Sequence, residues 1–514
     1  MRVKTKRSNL DCPATREAAR AAAQKAFDDL VLFCETCPSP FARFETRLFL
    51  FMAILGRCVI QLFLIVRHEG LDCRLHLQEG TYRLGKAQSK RTLKTAYGPV
   101  AFFRQYLLSC AGGKGFAPLD VALGLTRDKL SPWVRQWVAR LATRMSYQAT
   151  RLLCKGMMGW APSGETIERV VLGMGRQAAP FMKQLAAPPE DGEVLVIEVD
   201  GKCAPTARAS ELAKRRGKRK PKHERSCECG CQRHRGKAKR RARGSKKRLK
   251  KGDKSKHGKE VSIVVMYTLK HGKDGRLHGP INKKLYATFA GRMASALWAR
   301  AEATKRGFGP DTEKTVQIVL DGAKGLKANM KSQFPKAIFT LDVCHVVERL
   351  WALGHRFHKE GSAALEEWVE ELKELVYGGR AEELVRRLKK LLGEIPKNGP
   401  GAKGRREGLG KLIRFVEPRL EMMQYGKWSE QDLAIASGQA EGAARYLVGE
   451  RFDCSGMRWI PGKAEALLHL RCVELNGDWQ QFVDWFERKT QARLKKGDRR
   501  NILTDQPLPI KRAA

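Results

Sequence analysis

Three runs of aliphatic and β-branched residues, each closed by an aspartate, constrain this chain more than any other feature. They are Val194 to Asp200 (VLVIEVD, followed by Gly201), Val316 to Asp321 (VQIVLD, followed by Gly322) and Ile338 to Asp342 (IFTLD). Short apolar runs of this kind predict strands buried on both faces, and the helical patterns between them predict a mostly parallel sheet. Ligands of such sheets gather at the carboxyl ends of the strands. A carboxylate there is costly to desolvate unless it is paired, and a divalent cation is one common partner. A lone Asp-Gly is equally a turn signal. Three at successive strand ends point instead to one shared site.

At 514 residues the chain is too long for a single core. Its net charge of +45 predicts strongly salt-dependent attraction to a polyanion. Double-stranded DNA is the expected partner, with RNA left open. A membrane surface is disfavoured, because the basic residues sit neither on an amphipathic helix nor beside a span. The N-terminal MRVKTKRSNLDCPATREAAR lacks the apolar core of a signal peptide and the 14 Cys follow no regular framework, which predicts a cytoplasmic, nucleoid-associated protein. Leu48 to Val66 is apolar except for Arg57 and Gln61, four residues apart on one helix face. This reads as a buried core helix.

In chain order, residues 1–75 read as a helical region with two long helices, 14–35 and 40–68, able to form a hairpin. Residues 76–190 read as a mainly helical DNA-binding region with short basic strands at 81–108. Within it, residues 146–177 give two short helices around a Gly-containing turn, a candidate helix-turn-helix whose second helix, with Arg169, would enter a major groove. Plain packing of two helices gives the same pattern.

Residues 191–358 form the first part of an α/β domain, interrupted by a basic arm over 202–259 that holds 25 Lys and Arg against four Asp and Glu. Lys214, Arg215, Arg216, Lys246, Lys247 and Arg248 are its candidate phosphate contacts. Cys227, Cys229, Cys231 and His234 are candidate Zn²⁺ ligands, in a spacing unlike a standard zinc finger. Residues 359–430 read as an all-α insertion and 431–490 as the rest of the α/β domain. Residues 491–514 read as a basic disordered tail.

Asp200 and Asp321, with one downstream acid, could hold hard metal ions such as Mg²⁺ or Mn²⁺. Glu441 is the best third candidate, because it opens a helix directly after Ser437-Gly438. Glu198 lies on the same strand face as Asp200, and either joins the site or is neutralised by a nearby Lys.

Together, Val199-Asp200-Gly201, Asp321-Gly322-Ala323, Leu341-Asp342 through His345, Ser437 through Glu441-Gly442, and Ser455 through Trp459 resemble the motif series of bacterial insertion-sequence transposases of the DDE type, most of all the ISKra-like group. The resemblance runs from about Arg91 to Phe486. It implies an α/β RNase H-like catalytic core with an all-α insertion, preceded by a mainly helical DNA-binding region. It further implies that Asp200, Asp321 and Glu441 hold two Mg²⁺ (or Mn²⁺) ions, that His345 lies beside them, and that Arg458 and Trp459 support the DNA end. The implied reaction is cleavage at the terminal inverted repeats and transfer of the freed 3′ end to target DNA, by a homo-oligomer. A DNA-binding relative without activity, and an RNase H-like nuclease without strand transfer, remain alternatives.

Overall fold

The computed structural model describes residues 12–71, 82–85, 89–112, 115–207, 258–309, 311–323, 325–454 and 457–495. The chain divides into two compact units, residues 1–174 with 479–514, and residues 175–478.

The first unit begins with α1 (Arg16–Thr36) and α2 (Phe41–Glu69), which pack as a hairpin, with Phe33 stacked between Phe44 and Phe51. Four short strands follow: β1 (Tyr82–Leu84) pairs with β4 (Leu107–Ser109), and β2 (Ser89–Thr95) with β3 (Gly98–Arg104). Then come α3 (Pro118–Ala122), α4 (Pro132–Arg144), α5 (Tyr147–Met158) and α6 (Gly164–Gln184), whose later residues belong to the second unit. Ser131 and Ser146 cap α4 and α5 through their hydroxyls. Gly159, at φ +69°, closes α5 in a conformation that favours glycine.

The expectation of a buried α2 is overturned. Only 22% of its most apolar window is buried, although the helix is long and apolar enough to cross a membrane. The face turned inward is narrow and mixed, with Cys58, Leu64 and Ile65 buried beside Gln61. Gln61 is 3% exposed and donates to the Ala101 carbonyl of β3 at 3.0 Å. The apolar pattern runs nearly all round the helix, and the buried amide with its backbone partner helps to set which side turns inward.

The second unit is built on a five-stranded sheet of order β7-β6-β5-β8-β9. Its strands are β5 (Val194–Pro205), β6 (Gly258–His271), β7 (Leu277–Thr288), β8 (Val316–Leu320) and β9 (Ile338–Leu341). The sheet is mixed, correcting the mostly parallel expectation. β5, β6 and β7 form an antiparallel meander, while β8 and β9 run parallel to β5. The side chains along Leu195, Val196, Ile197 and Val199 are fully buried, as a two-sided central strand requires.

Helices α7 (Arg292–Lys305), α8 (Leu326–Gln333) and α9 (Val343–Gly354) connect or follow the later strands. The stretch from Ala363 to Glu430 is a run of helices joined by short turns, with α10 (Ala363–Tyr377), α11 (Ala381–Glu394), α12 (Ala402–Val416), a 3₁₀ turn and α13 (Tyr425–Glu430). The chain returns to the sheet as α14 (Gly438–Ala443), widens into a π-helical turn at Ala444–Gly449, and continues through α15 (Glu450–Phe452) to α16 (Pro461–Leu475). The last described helix, α17 (Trp479–Lys495), belongs to the first unit.

Candidate active site

Asp200 does not end its strand. β5 continues five residues beyond it because the antiparallel ladder with β6 persists to Pro205, opposite Gly258. What stops at Asp200 is the parallel partner, whose last rung joins Val199 to Leu320. Asp321 is the next residue of β8, so the two aspartates lie beside each other where β8 leaves the sheet. On the same edge of β5, the chain around Trp459 takes over at Thr206, with Ala207 N–H donating to Trp459 O at 2.9 Å and Trp459 N–H to Pro205 O at 3.0 Å.

Each aspartate uses one oxygen for its own turn: Asp200 Oδ1 accepts from Gly201 N–H at 2.6 Å, and Asp321 Oδ1 from Ala323 N–H at 2.8 Å. Neither Oδ2 accepts a hydrogen bond among the described residues. Burial pushes the Asp200 carboxyl above its ordinary value and the Asp321 charge adds to that, outweighing Gly201 N–H, His345 and Lys202. Two adjacent carboxylates with free oxygens, in repulsion that their neighbours do not cancel, suit a hard divalent cation.

The turn after Asp321 is fixed from outside. Gly322 has φ +77°, and a Cβ there would stand 2.9 Å from both Leu341 and Phe415, so a side chain fails on conformation and on space. Arg419 donates to the Gly322 carbonyl at 2.8 Å and lies over the Phe415 ring at 4.8 Å. Arg349, from α9, covers the same ring at 3.8 Å. Arg349 is exposed and has no carboxylate partner among the described residues. Sequence reasoning missed this Arg–Phe–Arg cluster, which is assembled from α9, α12 and the 3₁₀ turn across more than 60 residues of chain.

Asp342 has a different fate from the other two aspartates. It is 3% exposed and caps α9 by accepting from Cys344 N–H at 2.8 Å, while its other oxygen accepts from the Ser437 hydroxyl. His345 Nδ1 lies 3.6 Å from that oxygen, too far for a hydrogen bond, and is buried without any partner. The Ser437 link belongs to a set of ties that returns the helical insertion to the sheet. Gln317 of β8 bonds both the N–H and the carbonyl of Ala434, Val343 N–H donates to Ile435 O, and Tyr425 donates to Leu341 O.

Those ties deliver α14. Glu198, 1% exposed, accepts from the Tyr267 hydroxyl at 2.8 Å and from Ala440 N–H, also at 2.8 Å. It therefore anchors the first turn of the helix that carries Glu441, as a carboxylate placed at a helix N-terminus can. The expected neutralising lysine is replaced by a tyrosine and a backbone amide. Burial raises the Glu198 carboxyl above its ordinary value.

Glu441 itself is exposed, and its charge reaches Cys344 at the start of α9. Among the described residues, no three His, Cys, Asp or Glu side chains stand close enough to hold a metal ion together. The structure thus pairs Asp200 with Asp321 and holds Glu441 on a separate, anchored helix.

Of the other sequence candidates, Arg458 is exposed. Trp459 is partly buried, donates to Phe452 O at 3.1 Å and packs against the Phe452 ring, a supporting role in the protein itself. Arg169 is exposed on α6 and lies 3.7 Å from Asp128. Lys214, Arg215, Arg216, Lys246, Lys247, Arg248 and the Cys227, Cys229, Cys231, His234 cluster lie outside the described residues.

No family profile matches the chain. Over 116 residues it is 34% identical to a curated protein of Streptococcus gallolyticus described as "UPF0236 protein in vanSb 3′ region". That stretch covers 22% of this chain and 25% of the relative, so the chain spans about a quarter of the length of the curated protein it matches. Among solved structures, it is similar to a chain of the Drosophila P element transposase strand transfer complex, at 12% identity and a TM-score of 0.29, over 69% of this chain and 94% of that one. A superposition that distant carries no argument about fold or mechanism.

Proposed function

We propose that the chain is a DDE-type transposase that binds the ends of an insertion sequence and carries out Mg²⁺-dependent strand cleavage and strand transfer. The observation that carries this reading is the pairing of Asp200 and Asp321 at the point where β8 leaves β5, each with a free carboxylate oxygen. Glu441, on a helix tethered to the same central strand through Glu198, is the third acid. The motif series in the sequence, its basic charge and its partial similarity to a UPF0236 protein accord with it.

On this reading Asp200, Asp321 and Glu441 would hold the metal, the exposed Glu441 completing the set begun by the paired aspartates. Bound there, a pair of divalent ions supplies activation of the attacking oxygen and charge stabilisation of the leaving one. The chain's own groups do the rest. Arg349 meets a backbone phosphate beside Asp321, Arg419 keeps the Asp321 turn in place, and His345 lies near enough to Asp200 for its charge to favour the ionised carboxylate. The basic residues of 202–259 follow DNA phosphates without reading sequence.

The test uses the full chain, DNA carrying the sequences that flank its gene, and Mg²⁺. Cleaved and joined products are expected, and Asp200→Ala, Asp321→Ala and Glu441→Ala should each abolish both. A variant of these three that still cleaves or joins removes the proposal. Precut ends separate the nuclease alternative, since a nuclease leaves no joined product.

A further inference from the structure

The helix that carries Glu441 changes register just past it. Between Ala444 and Gly449 it widens from an α to a π turn, and Glu450 N–H donates to Arg445 O instead of to Tyr446 O, its partner in an α-helix. Tyr446 O is thereby deprived of its α-helical donor, in a turn where Leu447 and Val448 are fully buried. A carbonyl left unmatched in such a place is costly. A side chain from another helix supplies the donors. Arg471 of α16, 4% exposed, donates from Nε to Leu447 O at 2.9 Å and to Tyr446 O at 3.2 Å, and from Nη2 to Tyr446 O as well.

Both ends of this stretch are fastened to β5. At its start, Ala440 N–H donates to Glu198 at 2.8 Å. Past its end, Trp459 bonds Phe452 O through its indole and pairs with Pro205 and Ala207 through its backbone. Lys283 steadies the same helix, donating to Gln439 Oε1 at 2.5 Å and lying over the Tyr446 ring at 5.9 Å. Each residue turns an α-helix by about 100°, so the extra residue of the π turn sets the angle between the two fastened ends. With an α turn in its place, Glu441 would face elsewhere or one fastening would break.

We propose that Arg471 is a positioning residue for the catalytic centre: it holds the π turn, and the π turn sets the direction in which Glu441 leaves its helix. The positioning role rests on the reading of Glu441 as the third acid, whereas the hold on the π turn does not. A guanidinium suits the task because its rigid fork spans two carbonyls, where an ammonium offers a point charge.

The test uses the full chain with Arg471→Gln and, separately, Arg471→Lys, read first without DNA or metal. Hydrogen exchange of the amides of 444–450 should speed up about 10-fold in the glutamine variant and less in the lysine variant, with β5 unchanged. Cleavage then reports on Glu441. The Mg²⁺ concentration for half-maximal cleavage should rise about 10-fold in Arg471→Gln and about 3-fold in Arg471→Lys, with DNA affinity kept. Exchange as slow as in the wild type in both variants overturns the hold on the π turn. Faster exchange with an unmoved Mg²⁺ requirement overturns the positioning role. Loss of folding, or of cleavage at every Mg²⁺ concentration, in both variants would make Arg471 more than a positioning residue and overturn the proposal equally. Glu441→Gln run alongside keeps the two readings apart: if that variant cleaves like the wild type, the third-acid assignment fails, while the exchange result still judges the π turn.

Discussion

The sheet edge around Asp342 and the α1–α2 hairpin dispose of their polar groups in opposite ways. Around the sheet, buried polar side chains are tied to distant segments: Glu198 to Tyr267 and Ala440, Gln317 to Ala434, Asp342 to Ser437. In the hairpin Gln61 is satisfied inside beside Leu64 and Ile65, Arg57 Nε is buried without a partner, and many large apolar residues, Phe49, Met52, Val59 and Phe63 among them, are exposed. The first arrangement fixes geometry and is complete in one chain. The second leaves apolar side chains in contact with water, so it gains less from burial.

Mutations can break or sharpen that contrast, and the largest effect belongs to the sheet unit. Arg306 is wholly buried and donates to both oxygens of Asp191, at 2.6 and 2.7 Å, with Thr268 and Asn282 completing the carboxylate's bonds. Arg306→Met should cost about 3–5 kcal/mol in denaturant unfolding, because a buried carboxylate loses its counter-charge. Burial alone would raise the Asp191 carboxyl, yet Arg306 and Thr268 hold it below its ordinary value. Its contribution is therefore fully present above about pH 4, the unfolded carboxyl's pKa, and is lost as pH falls through the lower folded value. Asp191→Asn should flatten the acid limb of a stability–pH curve.

Next in size, Glu198→Ala should destabilise by about 2–3 kcal/mol, leaving the Tyr267 hydroxyl and Ala440 N–H unmatched. It should also loosen α14, so DNA cleavage falls more than the stability loss explains while DNA binding is kept. Cleavage that stays at the wild-type rate would show that Glu198 does not position Glu441.

Arg349→Ala leaves the fold intact, since the residue is exposed, and should lower cleavage about 10-fold, roughly the worth of one charge-assisted phosphate contact. Arg349→Lys restoring the rate would identify charge, not the planar stack on Phe415, as what matters. The smallest effect is expected in the hairpin: Gln61→Leu should cost only about 1 kcal/mol in thermal unfolding, one buried hydrogen bond offset by better apolar packing. A larger loss would mean that the Gln61 bond to Ala101 is more than a local contact.

The sequence made the three aspartates legible because β-branched runs are hard to read as anything but strands, and Asp-Gly marks a stop. It did not reveal which partner stops. Asp200 looks terminal from its own neighbours, yet β6 continues beside it and only β8 departs. Glu198 and Asp200 are indistinguishable by period, being two apart on one face; only the arrival of Tyr267 and Ala440 makes one an anchor and leaves the other a ligand candidate. The hairpin was misread for the same reason: apolar pattern reports what could be buried, and neighbours decide which face is. The pair Arg349 and Phe415 gave no local signal at all.

One feature of the central ladder bears on how such a chain can change over generations. The last rung of β5 and β6 pairs Pro205 with Gly258, so the chain leaves and re-enters this ladder at facing positions, one strand spacing apart. The ends are clamped whatever lies between them, and loop-closure entropy grows only slowly with length. This makes the segment a cassette: its length and composition can drift or expand while Asp200, five residues before the last rung, stays where it is.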